Sequence, residues 1–154
     1  MVEVLFYHLE RRSLDDVLPG LVERSLAKPW RVLIRCESAA RAAAIDSLLW
    51  TYDEQSFLPH AQLGDGDAAR QPVLITVEET NANNADVLFL VGGAAAPSWD
   101  GHLVQSLSRV VVLFDGRDPE AVNTAQQNRT KAQAADHAVT YWKESASGKF
   151  EKQG

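Results

Sequence analysis

Four histidines, one cysteine and a few neighbouring carboxylates are the residues here whose chemistry reaches beyond packing. His8, His60, His102 and His137 stand far apart. None lies at metal-ligand spacing from another histidine, from Cys36 or from a carboxylate, as an H-E-x-x-H helix would arrange them. Imidazoles without such partners read as structural hydrogen-bonding groups. His60, which follows Phe57-Leu58-Pro59, reads as a loop anchor acting through its ring nitrogens. Cys36 closes an apolar run and reads as a small buried core residue rather than a nucleophile. A single cysteine also excludes an internal disulfide and a cysteine-based zinc cluster. Asp53-Glu54 reads as a solvated turn rather than an acid–base pair. There is no G-x-S-x-G elbow and no G-x-x-x-x-G-K-[ST] phosphate loop. No G-x-G-x-x-G follows the first apolar run, where the sequence is LERRSLDD and offers no glycine for a pyrophosphate to approach. Gly64-Asp65-Gly66 and Gly92-Gly93 read as loop signals. The residues assign no catalytic group, no metal ligand and no cofactor.

The bulk properties narrow the function classes further. A chain of 154 residues suits one domain with a real core. Its 45% hydrophobic and 23% charged residues are ordinary for a soluble globular protein. The net charge of −6 argues against nucleic-acid binding through a broad basic face. A protein partner, or a small local basic pocket, fits that charge better. No run of about 18 apolar residues is present, so no membrane span is expected. The opening MVEVLFYHLERR has a short apolar run with its basic residues after it, unlike a secretory signal, and the expected location is cytoplasmic.

The elements that must position any site follow from periodicity. Apolar, β-rich runs at 2–9, 31–36, 73–77, 86–91 and 109–114 read as strands, with 138–142 as a last one. The stretch 37–50 has a helical apolar face. Residues 99–107 suggest a short helix. Asp118-Pro119-Glu120 opens a long helix running to about residue 135: Asp as N-cap, Pro in the first position, an acid in the first turn. Near the start, Ser13 and Asp16 resemble a capping box, but Pro19-Gly20 interrupts the helical spacing. Either a short turn precedes a helix that begins near Pro19, or one helix is kinked there; the first is the expectation. Residues 78–85 are polar turn material and 145–154 a loose polar tail, leaving a domain at 1–144. Alternating strands and helices, with several strands apolar on both sides, imply an α/β, single-domain, Rossmann-like fold. Its sheet is mostly parallel, with helices on both faces and no nucleotide-binding motif.

Two stretches stand out against this scaffold. Residues 48–75 cross from a helix to a strand without a regular period, and a connection that long is usually functional or disordered. This one carries Trp50, Tyr52, Phe57, Leu58 and Pro59, which are costly to leave in water. Trp50 reads as the last residue of its helix and Phe57 lies in the loop, both at the rim, and local sequence leaves open whether they fill core or anchor an interface. The second stretch is Asn128-Arg129-Thr130-Lys131 on the last long helix. Its cations either meet the helix dipole or form a small basic pocket for an acidic peptide.

The chain resembles the chi subunit family of the bacterial DNA polymerase III holoenzyme over nearly its whole length. The carrying residues are Phe6-Tyr7, Arg31-Val32-Leu33-Ile34, Leu49-Trp50, Ser56-Phe57-Leu58-Pro59-His60, Pro72-Val73, Asp86-Val87-Leu88 and Lys131-Ala132. The resemblance implies a Rossmann-like domain without catalysis or cofactor of its own, serving as an accessory subunit in the clamp-loader complex. It implies two protein contacts and only indirect contact with DNA. The psi subunit would bind a surface containing Trp50 and Phe57, with Leu58 and Pro59 beside them. The acidic C-terminal tail of single-stranded DNA-binding protein would bind at the last helix, through Asn128, Arg129, Thr130 and Lys131. Family members commonly place more basic residues and an aromatic on that helix. Asn123, Gln126, Gln127 and Thr130 stand at or near those places here, which implies a weaker or shifted tail contact, with Arg117 or Lys143 as substitutes. The alternatives are a Rossmann-like nucleotide-binding domain or enzyme with an unrecognised site, and an adaptor for a repair helicase through Trp50 and Phe57.

Overall fold

In Val32-Leu33-Ile34, Val73-Leu74-Ile75 and Val87-Leu88-Phe89-Leu90 every residue is apolar and every one is buried. Strands buried on both faces must lie inside a sheet that is covered on both sides. The computed structural model, which describes residues 2–52, 60–64 and 67–153, has that architecture. In chain order its elements are β1 (Glu3–Leu9), α1 (Leu14–Ala27), β2 (Val32–Arg35), α2 (Ala39–Thr51), β3 (Ala61–Gln62), a 3-10 turn (Ala68–Arg70), β4 (Val73–Thr76) and β5 (Val87–Leu90). The one-turn helix α3 (His102–Gln105), β6 (Arg109–Asp115), α4 (Pro119–Ala134), β7 (Ala138–Glu144) and β8 (Phe150–Gln153) follow.

The strands form one sheet in the order β3-β4-β2-β5-β6-β1-β7-β8. All neighbours are parallel except β7 and β8. The fold is α/β and Rossmann-like, as the alternating pattern predicts. β1 lies inside the sheet, with Phe6 opposite Val112 on one side and Tyr141 on the other. Because successive strand side chains point to opposite faces, β1, β2, β4, β5 and β6 feed two cores. Val32, Ile34, Ile75, Phe89 and Leu113 pack with Leu18, Val22, Ile45 and Leu49 from α1 and α2. Phe6, Leu33, Leu74, Leu88 and Val112 pack on the other face with Val104 of α3 and with Ala125 and Ala132 of α4. No helix among the described residues is long and apolar enough to cross a membrane.

Three expectations need correction. First, α1 does not begin near Pro19. Ser13 caps it with a full capping box to Asp16, and Pro19 lies within the helix, buried. Proline withholds an N–H from the Asp15 carbonyl, but Asp15 is exposed, where water can take that role. Second, the 48–75 connection is not without regular structure: α2 runs to Thr51, and β3 pairs with β4 through Ala61 and Gln62. A two-residue strand is too short to show a period. Third, the segment after residue 144 turns back as β8, antiparallel to β7. Its one aromatic, Phe150, meets the Tyr7 ring edge-on at 4.9 Å and lies under the Arg12 guanidinium. The polar turn at 78–85 is also anchored, since the Asn83 amide donates to the carbonyls of Val32 and Gln71.

A buried carboxylate ties the first connection to the last parallel strand. Glu144, 3% exposed, accepts the backbone N–H groups of Glu10, Arg11 and Arg12 at 3.1, 2.7 and 3.0 Å. The Arg12 Nε donates to its second oxygen at 2.6 Å. Burial pushes this carboxyl up, but the Arg12 side chain and the three amides outweigh it, and hold it at about 2 against an ordinary 4.5. A depressed folded-state pKa contributes stability that is present above the unfolded value and lost as pH falls toward the folded one. Glu144→Gln should therefore be less stable than the wild type by about 2 kcal/mol above about pH 5. That gap should narrow as pH falls from 4.5 toward 2. Urea unfolding of both proteins across a pH series measures it, and a gap independent of pH would contradict this account.

Candidate functional site

In parallel α/β sheets the loops beyond the C-terminal strand ends are where ligands usually sit. Here a crevice of about 510 Å³ opens beyond β1, β5 and β6, lined by Arg12, Arg41, Gly92, Gly93, Asp115 and Arg117 among others. Its cations are engaged within the chain. Arg12 pairs with Glu144 at 2.6 Å, Arg41 with Glu37 at 3.3 Å and Arg117 with Asp115 at 3.0 Å. The Arg117 backbone N–H and side chain hold the Asp115 carboxyl below its ordinary value. Three successive amides after the first strand form the kind of concave donor set that holds anions, and Glu144 fills it. Gly92, at φ +65°, fits because any Cβ there would meet the Glu37 carboxylate at 2.2 Å. The sequence showed no glycine fingerprint in the first connection; the structure adds a carboxylate seated in its place.

His8, His137 and Cys36 are held by packing and hydrogen bonds. Among the described residues no three His, Cys, Asp or Glu side chains converge as metal ligands. His8 joins Tyr141 and Glu10 through its two ring nitrogens, at 2.6 and 2.7 Å. His137 accepts the Val2 amide at Nδ1 and donates from Nε2 to the Trp99 carbonyl. Burial pushes the Cys36 thiol up to about 12, so it is protonated and inert at neutral pH.

The four predicted residues on α4 do not share one surface. Consecutive helical residues point about 100° apart. Asn128 and Lys131, three apart, face a second crevice of about 640 Å³ whose far wall is the loop from Gly93 to Asp100. Arg129 faces the other way, its guanidinium 5.0 Å from the centre of the Tyr141 ring on β7. Thr130 is exposed and donates to the Gln126 carbonyl one turn back. Of the residues at family positions, Gln127 lines the same crevice as Lys131, together with Thr124 and Ala134. The 93–100 wall was not singled out from sequence. It is small-residue loop in the chain, and only the fold brings it beside α4.

Trp50 is the penultimate residue of α2 and half exposed at 50%, while its neighbour Leu49 is fully buried. Its indole lies 4.5 Å from the His60 ring. His60 is buried and bonds to the Asp46 carbonyl at 3.0 Å, which makes it the anchor its sequence position suggests. Phe57, Leu58 and Pro59, predicted beside Trp50, lie outside the described residues, as does Asp53-Glu54.

A family model described as DNA polymerase III chi subunit, HolC, matches residues 1–140. The chain is also similar to three curated proteins. One from Rickettsia prowazekii (strain Madrid E), named as a probable DNA polymerase III subunit chi, is 29% identical over 91 residues, covering 59% of this chain and 55% of that protein. The DNA polymerase III subunit chi of Escherichia coli (strain K12) is 32% identical over 97 residues, covering 58% and 66%. That of Haemophilus influenzae (strain ATCC 51907 / DSM 11121 / KW20 / Rd) is 37% identical over 68 residues, covering 41% and 47%. The matched stretches thus span less than two thirds of each relative.

The split on α4 has a measurable signature in stability. Arg129→Ala removes a cation from an aromatic face and should cost about 0.5–1 kcal/mol. Lys131→Ala, an exposed change, should stay within about 0.5 kcal/mol of wild type. Denaturant unfolding separates the two, and equal effects would contradict the opposite orientations described above.

Proposed function

The chain belongs to the DNA polymerase III chi subunit family, and on that premise we propose that it is a non-catalytic accessory subunit of the holoenzyme. It bridges the clamp loader, through psi, to the acidic C-terminal tail of single-stranded DNA-binding protein. The observation that carries this reading is the α4 crevice. Lys131 is exposed at its rim and has no ion-pair partner among the described residues. Ala94, Ala95, Ala96, Pro97 and Trp99 supply an apolar wall facing it. A peptide that ends in an apolar side chain and carries carboxylates nearby matches a pocket of that kind. A short disordered tail loses ordering entropy when it binds, so its affinity is modest, in the micromolar range of about −8 kcal/mol.

The separation of the two surfaces supports the bridging role. α2, which ends in the psi surface around Trp50, packs on one face of the sheet. α4, which bears the tail surface, packs on the other. Two partners seated on opposite faces do not compete for the same ground. Among the described residues Trp50 and Val77 are the large hydrophobic side chains left exposed, and an exposed indole at a helix end is a frequent interface anchor.

The direct test is fluorescence polarisation with a labelled peptide copying the tail of the cognate single-stranded DNA-binding protein. Binding should saturate, weaken with salt, and fall about tenfold in Lys131→Ala, the loss of one charged contact of about 1.4 kcal/mol. Arg129→Ala should fall less, because its cation is turned toward Tyr141. Absence of binding by the wild type, or a larger loss in Arg129→Ala than in Lys131→Ala, would overturn the assignment of the tail to this crevice.

A further inference from the structure

Trp50 stands on the last turn of α2 with its side chain half exposed. A half-exposed side chain on the last turn has rotamers to choose from, and a partner that needs one of them must bear the cost of selecting it. We infer that His60 is a positioning residue that fixes Trp50 in its partner-facing orientation. The inference rests on reading Trp50 as part of the psi contact.

His60 immediately precedes β3, the edge strand laid against β4. Its residue is 7% exposed and its side chain is fully enclosed. Nε2 lies 3.0 Å from the Asp46 carbonyl and 3.3 Å from the Asp46 carboxylate. Asp46 is one turn before Trp50, on the same side of α2. The ring is therefore bonded to the turn beneath the indole while its face lies 4.5 Å from the indole itself, tilted by 51°. One side chain thus joins the last turn of α2, the sheet edge and the exposed aromatic. A partner touching the solvent side of Trp50 has almost no access to His60. The positioning role therefore predicts an effect of His60 on binding that passes through Trp50, which a double-mutant cycle separates from any other route.

The test is a double-mutant cycle on the full chain, with the cognate psi subunit as ligand in calorimetry. His60→Gln keeps an N–H for the Asp46 carbonyl and removes the ring; His60→Phe keeps a ring and removes the donor. Each should weaken psi binding, His60→Gln by about tenfold, the scale of a substantial interface position. Neither should weaken it further in a Trp50→Ala background. The second readout is ¹⁹F NMR of 5-fluorotryptophan protein, where Trp50 is assigned by its loss in Trp50→Phe. The Trp50 resonance should shift or broaden in both variants, while Trp30, Trp99 and Trp142 stay in place and report an intact fold. Wild-type affinity in both variants would overturn the inference, as would equal losses with and without Trp50. If the wild type itself fails to bind psi, the reading of the surface falls. The ¹⁹F spectrum then decides the positioning role alone, and an unmoved Trp50 resonance overturns it.

Discussion

A carboxylate seated on three backbone amides is the interaction around which the working end of this sheet is built. The loop after the first strand of a parallel sheet turns its N–H groups toward the space beyond the strand ends, where many folds of this class hold phosphate. Here Glu144 reaches that place from β7 and brings a negative charge that belongs to the chain. Arg12, which would otherwise reinforce an anion site, is spent on the same carboxylate. The neighbouring Arg41 and Arg117 are balanced by Glu37 and Asp115. One contact thereby occupies the amide donors after the first strand and anchors the C-terminal hairpin. What remains chemically open lies at the flanks, along α4 and at the end of α2.

The flanks differ in what they offer. The α4 crevice combines a cation with small apolar side chains and a tryptophan wall, a surface suited to a short charged peptide. The end of α2 presents one large aromatic backed by a buried imidazole. A preset aromatic is suited to a folded partner, where little ordering is left to do on contact. Between them lies the sheet, whose strands β1, β2, β4, β5 and β6 carry side chains into both cores.

Much of this architecture was legible in the chain. β2, β4, β5 and β6 each contain an unbroken apolar run, so their existence was legible, and their alternation with helices pointed to a mostly parallel sheet. The Asp118-Pro119 start of α4 was readable because capping is a local interaction. Pro19 was misread because its tolerance depends on an exposed carbonyl four residues back, a tertiary property. β3 and β8 escaped because two residues show no period and a charged edge strand looks like tail. The split of Arg129 from Lys131 was available in principle from the helical repeat, since neighbours in sequence cannot be neighbours on a helix face. Glu144 was not available at all. Its partners are more than a hundred residues away in sequence, and nothing local distinguishes a carboxylate that will be buried from one that will be solvated.

The position of β1 also has a consequence in time. It is made well before its two sheet neighbours, β6 and β7, which lie at residues 109–115 and 138–144. During synthesis a strongly apolar strand therefore waits with both edges unpaired while most of the chain is still to come. Long-range parallel pairing of this kind folds slowly and exposes sticky edges meanwhile. β1 becomes an interior strand only when β6 and β7 arrive to enclose it.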